Sequence, residues 1–362
     1  MTGASAGEPT AELALVAGPG SGPGGVPAAI ALTPILSARY RTRDLDRIAD
    51  AAPGSRIVSV SVDGHADGPI DDVEVLLRGW LNADAFDRLL ARTPRLAWVH
   101  SATSGVERAL TPAARARGIV VTNARGVFSA PIAEYVVMMI LAVSRRLPQL
   151  LELQRERTWQ PLEGVEMRDV TVGVVGLGSI GRAVAELVTA FGGRVVAMRR
   201  RPAEGSAPGE AVIAETAAGG LAVAATLGPD GLPQLLAASD FVVLAAPLTA
   251  ETEGMIGAAA LAAMRPDAWL VNVARGRLVD ERALLSALRE GRIGGAILDT
   301  FHDEPLASSS PFYDLPNVIV TPHTAWSSGR VLDRSVELFC DNLRQFAAGD
   351  ALRNVVDPAA GY

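Results

Sequence analysis

The chain has 362 residues, 49% of them hydrophobic, which is too long for one ordinary domain and apolar enough to fill the cores of two. Its formal charge of −7 speaks against a nucleic-acid surface, although a local cluster of arginines can still draw an anion into an acidic protein. The single cysteine, Cys340, excludes an internal disulfide and has no neighbour at metal-ligand spacing, so a reducing cytoplasmic setting and no metal site are expected.

Residues 1–27 are rich in Gly, Pro and Ala, with Gly18-Pro19-Gly20-Ser21-Gly22-Pro23-Gly24-Gly25 at their centre. Such a segment buries too little to offset its ordering entropy, and it predicts a floppy tail. The first basic residue is Arg39 and no apolar run reaches membrane length, so neither a signal peptide nor a membrane span is expected.

Beyond the tail, short apolar runs at 30–33, 57–60, 75–77, 96–99 and 119–121 alternate with helix-like stretches, which predicts a parallel sheet. A helix over 131–145 follows, with Ile132, Val136, Met139 and Ile140 at helical spacing, and then a polar stretch to Met167. A second set of runs at 172–175, 195–198, 241–245, 269–273, 296–299 and 318–321 predicts a six-stranded doubly wound unit. The Ala/Gly/Pro-rich segment 203–233 between its second and third strands reads as a surface excursion without catalytic content. A final helix over 331–346 carries Cys340, and the pattern leaves open which domain it joins. The expected fold is therefore α/β, with two doubly wound parallel-sheet domains, the larger a Rossmann dinucleotide-binding domain.

Gly176-Leu177-Gly178-Ser179-Ile180-Gly181 is the strongest single motif. It follows the strand Val172-Gly173-Val174-Val175 and opens an amphipathic helix, the context a dinucleotide loop requires. The first glycine permits the tight turn, the second admits pyrophosphate to the backbone, and the third lets helix and strand pack closely. The helix N-terminus, from Ser179 and Ile180 onwards, offers free N–H groups to the phosphates. Where an NAD site carries an acid for the adenosine ribose, this chain has Met198-Arg199-Arg200-Arg201. Arg199 and Arg200 would grip a ribose 2′-phosphate, so NADP is favoured over NAD. The bland alternative is a set of solvated arginines at a strand end.

Three further segments each follow a strand: Val271-Asn272-Val273-Ala274-Arg275-Gly276, Asp299-Thr300-Phe301-His302-Asp303-Glu304-Pro305-Leu306 and Thr321-Pro322-His323-Thr324. They bring an arginine, an acid and a histidine to the carboxyl edge of one sheet, where ligands bind in open α/β folds.

With these motifs, and with Ala246-Pro247-Leu248-Thr249 followed by Thr252, the sequence from about residue 30 to residue 357 resembles the D-isomer-specific 2-hydroxyacid dehydrogenases. The resemblance implies hydride transfer between NAD(P)H and a small 2-oxo or 2-hydroxy acid, in a reductase of the glyoxylate/hydroxypyruvate type. It implies that Arg275 binds the substrate carboxylate and polarises the carbonyl, that His323 is the acid/base, and that Glu304 holds the imidazole and keeps it protonated longer. Pro247, Thr252, Val273, Ala274 and Asp299 would contact the dinucleotide, Asp299 at the nicotinamide carboxamide. Ser104 and Gly105 would give backbone N–H groups to the substrate carboxylate. The implied domains are a tail at 1–27, a substrate/catalytic domain at 28–126 completed by 327–362, and an NAD(P)-binding domain at 127–326. The family returns its last helix to the first domain, and its members usually form homodimers through the nucleotide-binding domain; charge and hydropathy leave no nucleic acid or membrane expected as partner. It leaves room for no C-terminal regulatory domain within this chain. Two other readings stay open within the family: a dinucleotide-sensing corepressor, and a formate- or phosphite-type dehydrogenase.

Four histidines occur. Outside the motif, His302 is expected to be a bystander and His65 a loop residue, while His100 is expected either to touch substrate or to be packed at a strand end.

Overall fold

The computed structural model describes residues 24–35, 40–199 and 225–358. The chain divides into two compact units, Met1–Ala124 with Leu332–Tyr362, and Arg125–Val331. Residues 1–23, Arg200, Arg201 and most of the 203–233 segment lie outside the described residues.

The first unit is built from β1 (Ala29–Leu32), α1 (Thr42–Ala51), β2 (Arg56–Ser59), β3 (Val73–Arg78), α2 (Ala83–Arg92), β4 (Trp98–Ser101), α3 (Pro112–Ala116) and β5 (Val120–Asn123). Its strands are parallel, in the order β2-β1-β3-β4-β5. Successive strand side chains point to opposite faces. Ala29 and Ala31 accordingly join a core with Val58, Phe86 and Leu89, whereas Ile30 and Leu32 join one with Ile48, Leu77 and Trp98. Both faces are covered, so these strands read as apolar runs with no polar alternation.

The second unit opens with α4 (Ser129–Ser144) and α5 (Leu147–Arg155). There follow β6 (Thr171–Val175), α6 (Ser179–Ala190), β7 (Arg194–Met198), β8 (Ala225–Leu227), α7 (Leu232–Ala238) and β9 (Phe241–Leu244). The unit continues with α8 (Ala258–Ala263), β10 (Trp269–Asn272), α9 (Glu281–Arg289), β11 (Gly295–Leu298) and β12 (Val318–Val320). All strands are parallel, in the order β12-β11-β10-β9-β6-β7-β8. The order reverses between β6 and β9, the switch point at which doubly wound sheets take their ligands.

One expectation about this sheet needs correction. The sheet has seven strands, not six, because β8 lies inside the segment taken for a plain excursion. Three residues are too few to show as a run, and they form a strand by pairing with Val196, Ala197 and Met198 of β7. The polar stretch before Met167 contains α5, in which Leu147, Leu150 and Leu151 are exposed beside charged residues.

Helix α10 (Val331–Ala348) packs on the first unit, where Val336, Phe339, Cys340, Leu343 and Phe346 meet the β1–β3–β4 face. Trp98 stacks between Phe339 and Phe346, with ring centroids 5.4 and 5.5 Å away. The same helix corrects the tail. Gly25 N–H donates to Ala347 O at 2.7 Å, and Ser55 Oγ donates to Pro27 O at 2.6 Å, so residues 24–27 are held rather than floppy. None of the described helices is long and apolar enough to cross a membrane.

His100 lies on β4 and is fully buried, which leaves the packed alternative and removes the substrate contact. Thr122 Oγ1 accepts from Trp98 Nε1 at 2.9 Å and lies 2.7 Å from His100 Nδ1. Burial pushes the imidazole down to about 3, and the ring stays neutral. The unfolded chain takes up this proton below its ordinary value of 6.5 while the folded chain does not, so stability is lost as pH falls from 6.5 towards 3. Between pH 7 and pH 5 the wild type should lose about 2 kcal/mol more than a His100→Gln variant, at roughly 1.4 kcal/mol per pH unit. Urea unfolding at the two pH values measures this, and equal acid sensitivity would mean that the folded protein protonates the ring.

Candidate active site

The dinucleotide loop begins where β6 ends. Gly176 has φ +103, and a Cβ there would come within 2.7 Å of Ala246 N, so the turn lies hard against the end of β9. At Gly181 a Cβ would come 2.1 Å from Gly176 O, so only glycine lets α6 close onto the loop. Gly178 differs, because a Cβ there would meet no protein atom within 4 Å. Packing therefore does not explain that glycine, whereas backbone left open to a phosphate does. Ser179 and Ile180 open the twelve-residue α6, whose first-turn N–H groups have no intrahelical partner.

Arg199 follows β7 directly and is half-buried, with its N–H donating to Leu227 O on β8 at 3.1 Å. The strand missed from the sequence thus fixes the backbone at this arginine. In the loop after β9, Thr252 Oγ1 donates to Pro247 O at 2.7 Å and accepts from Thr249 N at 2.8 Å. The Thr252 hydroxyl is spent on shaping the loop that carries the exposed Pro247. Together the open glycine, the helix N-terminus and a cation at the end of the second strand fit a phosphate-bearing dinucleotide.

Arg275 sits three residues beyond β10. Asn272, the buried last residue of that strand, accepts from Ala274 N at 3.1 Å and donates to Arg275 O at 2.9 Å. The Arg275 guanidinium donates from Nη1 to Ala274 O at 2.7 Å. Val273 and Ala274 are buried between them. At Gly276 a Cβ would come 2.0 Å from Phe301 C and 2.3 Å from its O, so a side chain there would force the Arg275 loop off the next one.

That next loop leaves β11 and carries Glu304, whose Oε1 accepts from Phe301 N at 3.0 Å. Glu304 Oε2 lies 2.7 Å from His323 Nδ1. Burial works against its charge, but the bonds from His323 and Phe301 and the charge on Arg275 outweigh it and hold the carboxyl below its usual range. With Nδ1 engaged, His323 has Nε2 for proton exchange. His323 itself has φ +50, a left-handed conformation that few residues other than glycine adopt.

Asp299 is buried at the end of β11 and turns to the protein. Its Oδ1 accepts from Thr321 Oγ1 at 2.6 Å and Thr324 N at 2.8 Å, and its Oδ2 from Ala325 N at 3.0 Å. Three of the roughly four acceptor positions of a carboxylate are thereby used on the His323 loop.

Arg275, Glu304 and His323 are therefore brought together, on the loops after three neighbouring strands, with an anionic partner on the imidazole. The family described as "D-isomer specific 2-hydroxyacid dehydrogenase, NAD binding domain" matches residues 137–325, the span that holds all of these groups. The chain belongs to that family.

Among full-length relatives of this 2-hydroxyacid dehydrogenase homologue, glyoxylate reductase from Korarchaeum cryptofilum is 33% identical over 325 residues, covering 87% of this chain and 90% of that one. D-3-phosphoglycerate dehydrogenase from Mycobacterium bovis is 36% identical over 291 residues, 79% of this chain. The match spans only 51% of that relative, about half its length. A solved D-isomer specific 2-hydroxyacid dehydrogenase from Xanthobacter autotrophicus Py2, in complex with NADPH and MES, has a TM-score of 0.77 and 30% identity. It covers 94% of this chain and is itself covered completely.

The remaining residues singled out in the sequence fall in different places. Ser104 and Gly105 lie in the first unit, where Asn123 Nδ2 donates to Ser104 O at 3.0 Å and Thr103 Oγ1 to Gly105 O at 2.7 Å. His302 is tied to the start of α9, its Nε2 2.8 Å from Val279 O and its N–H donating to Glu281 Oε1 at 2.8 Å. His65 closes a turn with Ser61. Sequence reasoning passed over Asn272, Thr321 and Tyr135, whose hydroxyl lies 2.6 Å from that of Thr321. Asn272 and Thr321 stood inside the quoted motifs, but a role played through a hydrogen bond to the main chain has no spacing of its own.

Proposed function

We propose that this protein reduces small 2-oxo acids to D-2-hydroxy acids with NADPH, in the manner of a glyoxylate/hydroxypyruvate reductase. The observation that carries the reading is the 2.7 Å pair of His323 Nδ1 and Glu304, beside Arg275 in an NAD-binding unit. The dinucleotide, when bound, supplies a hydride to C2 of the acid. Charge then grows on the carbonyl oxygen, and His323 Nε2 gives it a proton. Glu304 remains anionic and stabilises the charged ring, while Arg275 takes the carboxylate as a fork and polarises the carbonyl. Ser104 and Gly105 are assigned to the same carboxylate on the family resemblance. Oxidation runs the same proton backwards. A reductase of this kind belongs where reduced dinucleotide is kept, in the cytoplasm.

The test is a panel of glyoxylate, hydroxypyruvate, pyruvate and phenylpyruvate with NADPH and NADH. Glyoxylate and hydroxypyruvate should turn over, with reduction declining as pH rises and oxidation gaining, because one imidazole must be charged for the first and neutral for the second. His323→Ala should lower kcat by a factor of about 10² or more and leave dinucleotide binding intact. Dinucleotide binding without turnover of any acid in the panel would favour a dinucleotide-sensing protein instead.

Cofactor choice rests on Arg199. A charge-assisted bond to the 2′-phosphate contributes about 1.5–3 kcal/mol, trimmed by solvent at a half-buried side chain, so NADPH should be preferred by roughly tenfold. Arg199→Asp should reverse the order in kcat/KM, and a wild type that prefers NADH would reduce Arg199 to surface charge.

We also propose a homodimer through α4 and α5. Met138, Leu147, Leu150 and Leu151 of these helices are all more than a third exposed, and Met138, Leu147 and Leu150 line a groove between them. An apolar surface of this kind marks an interaction site. Sedimentation should give a dimer for the wild type and a monomer for Leu150→Glu, and a monomeric wild type at micromolar concentration would reject the interface.

A further inference from the structure

We propose that Tyr135 is a positioning residue for the acid/base histidine, its hydroxyl holding the His323 loop in place through Thr321 and Asp299. The inference rests on the assignment of His323 made above and adds a component on a distant helix.

The direction of the hydrogen bonds follows from counting protons. Thr321 Oγ1 has one, and donates it to Asp299 Oδ1 at 2.6 Å. The 2.6 Å contact between the Tyr135 and Thr321 hydroxyls must then be donated by Tyr135. Burial pushes the phenol up to about 12, so Tyr135 keeps the proton it donates at any working pH. Asp299 collects the other side of the loop through the N–H groups of Thr324 and Ala325.

These bonds bracket His323. One falls two residues before it, and two fall on the residues just after it. The bracketed residue is the one at φ +50, a left-handed conformation that few residues other than glycine adopt. A loop loosened on either side would relax His323 to negative φ and turn the ring from Glu304. Tyr135 is well placed to prevent this, since it stands on α4, which packs against α6, the helix that opens at the dinucleotide loop. The chain of hydroxyls thus ties the proton donor to the layer on which the dinucleotide helix rests. An aromatic ring alone would fill the same space, so the hydroxyl is the part to test.

Three variants of the full chain suffice. Tyr135→Phe and Thr321→Val each break the chain at one hydroxyl, and Thr321→Ser restores the hydroxyl of the second. In the first two, kcat for 2-oxo acid reduction should fall about tenfold with KM for the dinucleotide unchanged, and the amides of Thr324 and Ala325 should exchange with solvent faster. Thr321→Ser should restore both. Tyr135→Phe decides the matter if Thr321→Val does not fold. Unchanged exchange and turnover in Tyr135→Phe would overturn the proposal, and so would faster exchange with undiminished kcat, or reduced kcat without faster exchange. If the wild type reduces no 2-oxo acid, the assigned reaction fails, while amide exchange still decides whether Tyr135 holds the loop.

Discussion

The parallel register of β10, β11 and β12 is the constraint on which the candidate site depends. Asn272, Leu298 and Val320 stand level across these three strands. Parallel strands bring all their carboxyl ends to one edge, so the loops carrying Arg275, Glu304 and His323 start from a common line. A slip of one residue would carry a loop about 3.3 Å along the strand. The His323–Glu304 bond, at 2.7 Å, would not survive it. The apolar core beneath, with Leu270, Ala296, Leu298 and Val318, therefore acts on the chemistry by holding a register.

Above that line the loops are held by polar side chains that would be costly elsewhere. Asn272 and Asp299 are buried, and burial of an unpaired amide or carboxylate is expensive. Each meets that cost by bonding to main chain that strand geometry leaves unpaired. Asn272 takes the N–H of Ala274 and gives to the carbonyl of Arg275, Asp299 takes the N–H groups of Thr324 and Ala325, and Glu304 takes that of Phe301. The result is three irregular loops with fixed backbones. Side chains carried on such loops are preorganised, with little rearrangement left to make.

Much of this architecture was legible in the residues. Apolar runs marked eleven strands because both faces of each sheet are buried, and the glycine motif stood between a strand and a helix. Arg275, Glu304 and His323 were visible because each is a charged or titratable residue just after a strand end. What stayed hidden was made by partners distant in sequence. β8 exists through its pairing with β7, and residues 24–27 are held by a bond from Gly25 to Ala347. Tyr135 and Thr321 are 186 residues apart, and each looks like ordinary helix or loop material. Nor did the sequence reveal that Asp299 accepts from Thr321, Thr324 and Ala325 on the loop after β12.

The two strand-associated histidines show how far residue type alone carries. His100 is enclosed by Trp98 and Phe339 and has the Thr122 hydroxyl at Nδ1, so its ring has an uncharged partner and no route to water. His323 is part-exposed and has Glu304 on Nδ1 instead. Burial disfavours a charged ring at His100, whereas the ring of His323 stands beside a carboxylate. One stands at the end of a parallel strand and the other just beyond one, so they look alike in a sequence. The difference lies in what stands at Nδ1, a neutral hydroxyl or an anion, and that is decided by which strand of which sheet lies alongside. The imidazole of His323 is set beside an anion by its neighbour across the sheet edge, and the loop on which it stands is bonded at Thr321, Thr324 and Ala325.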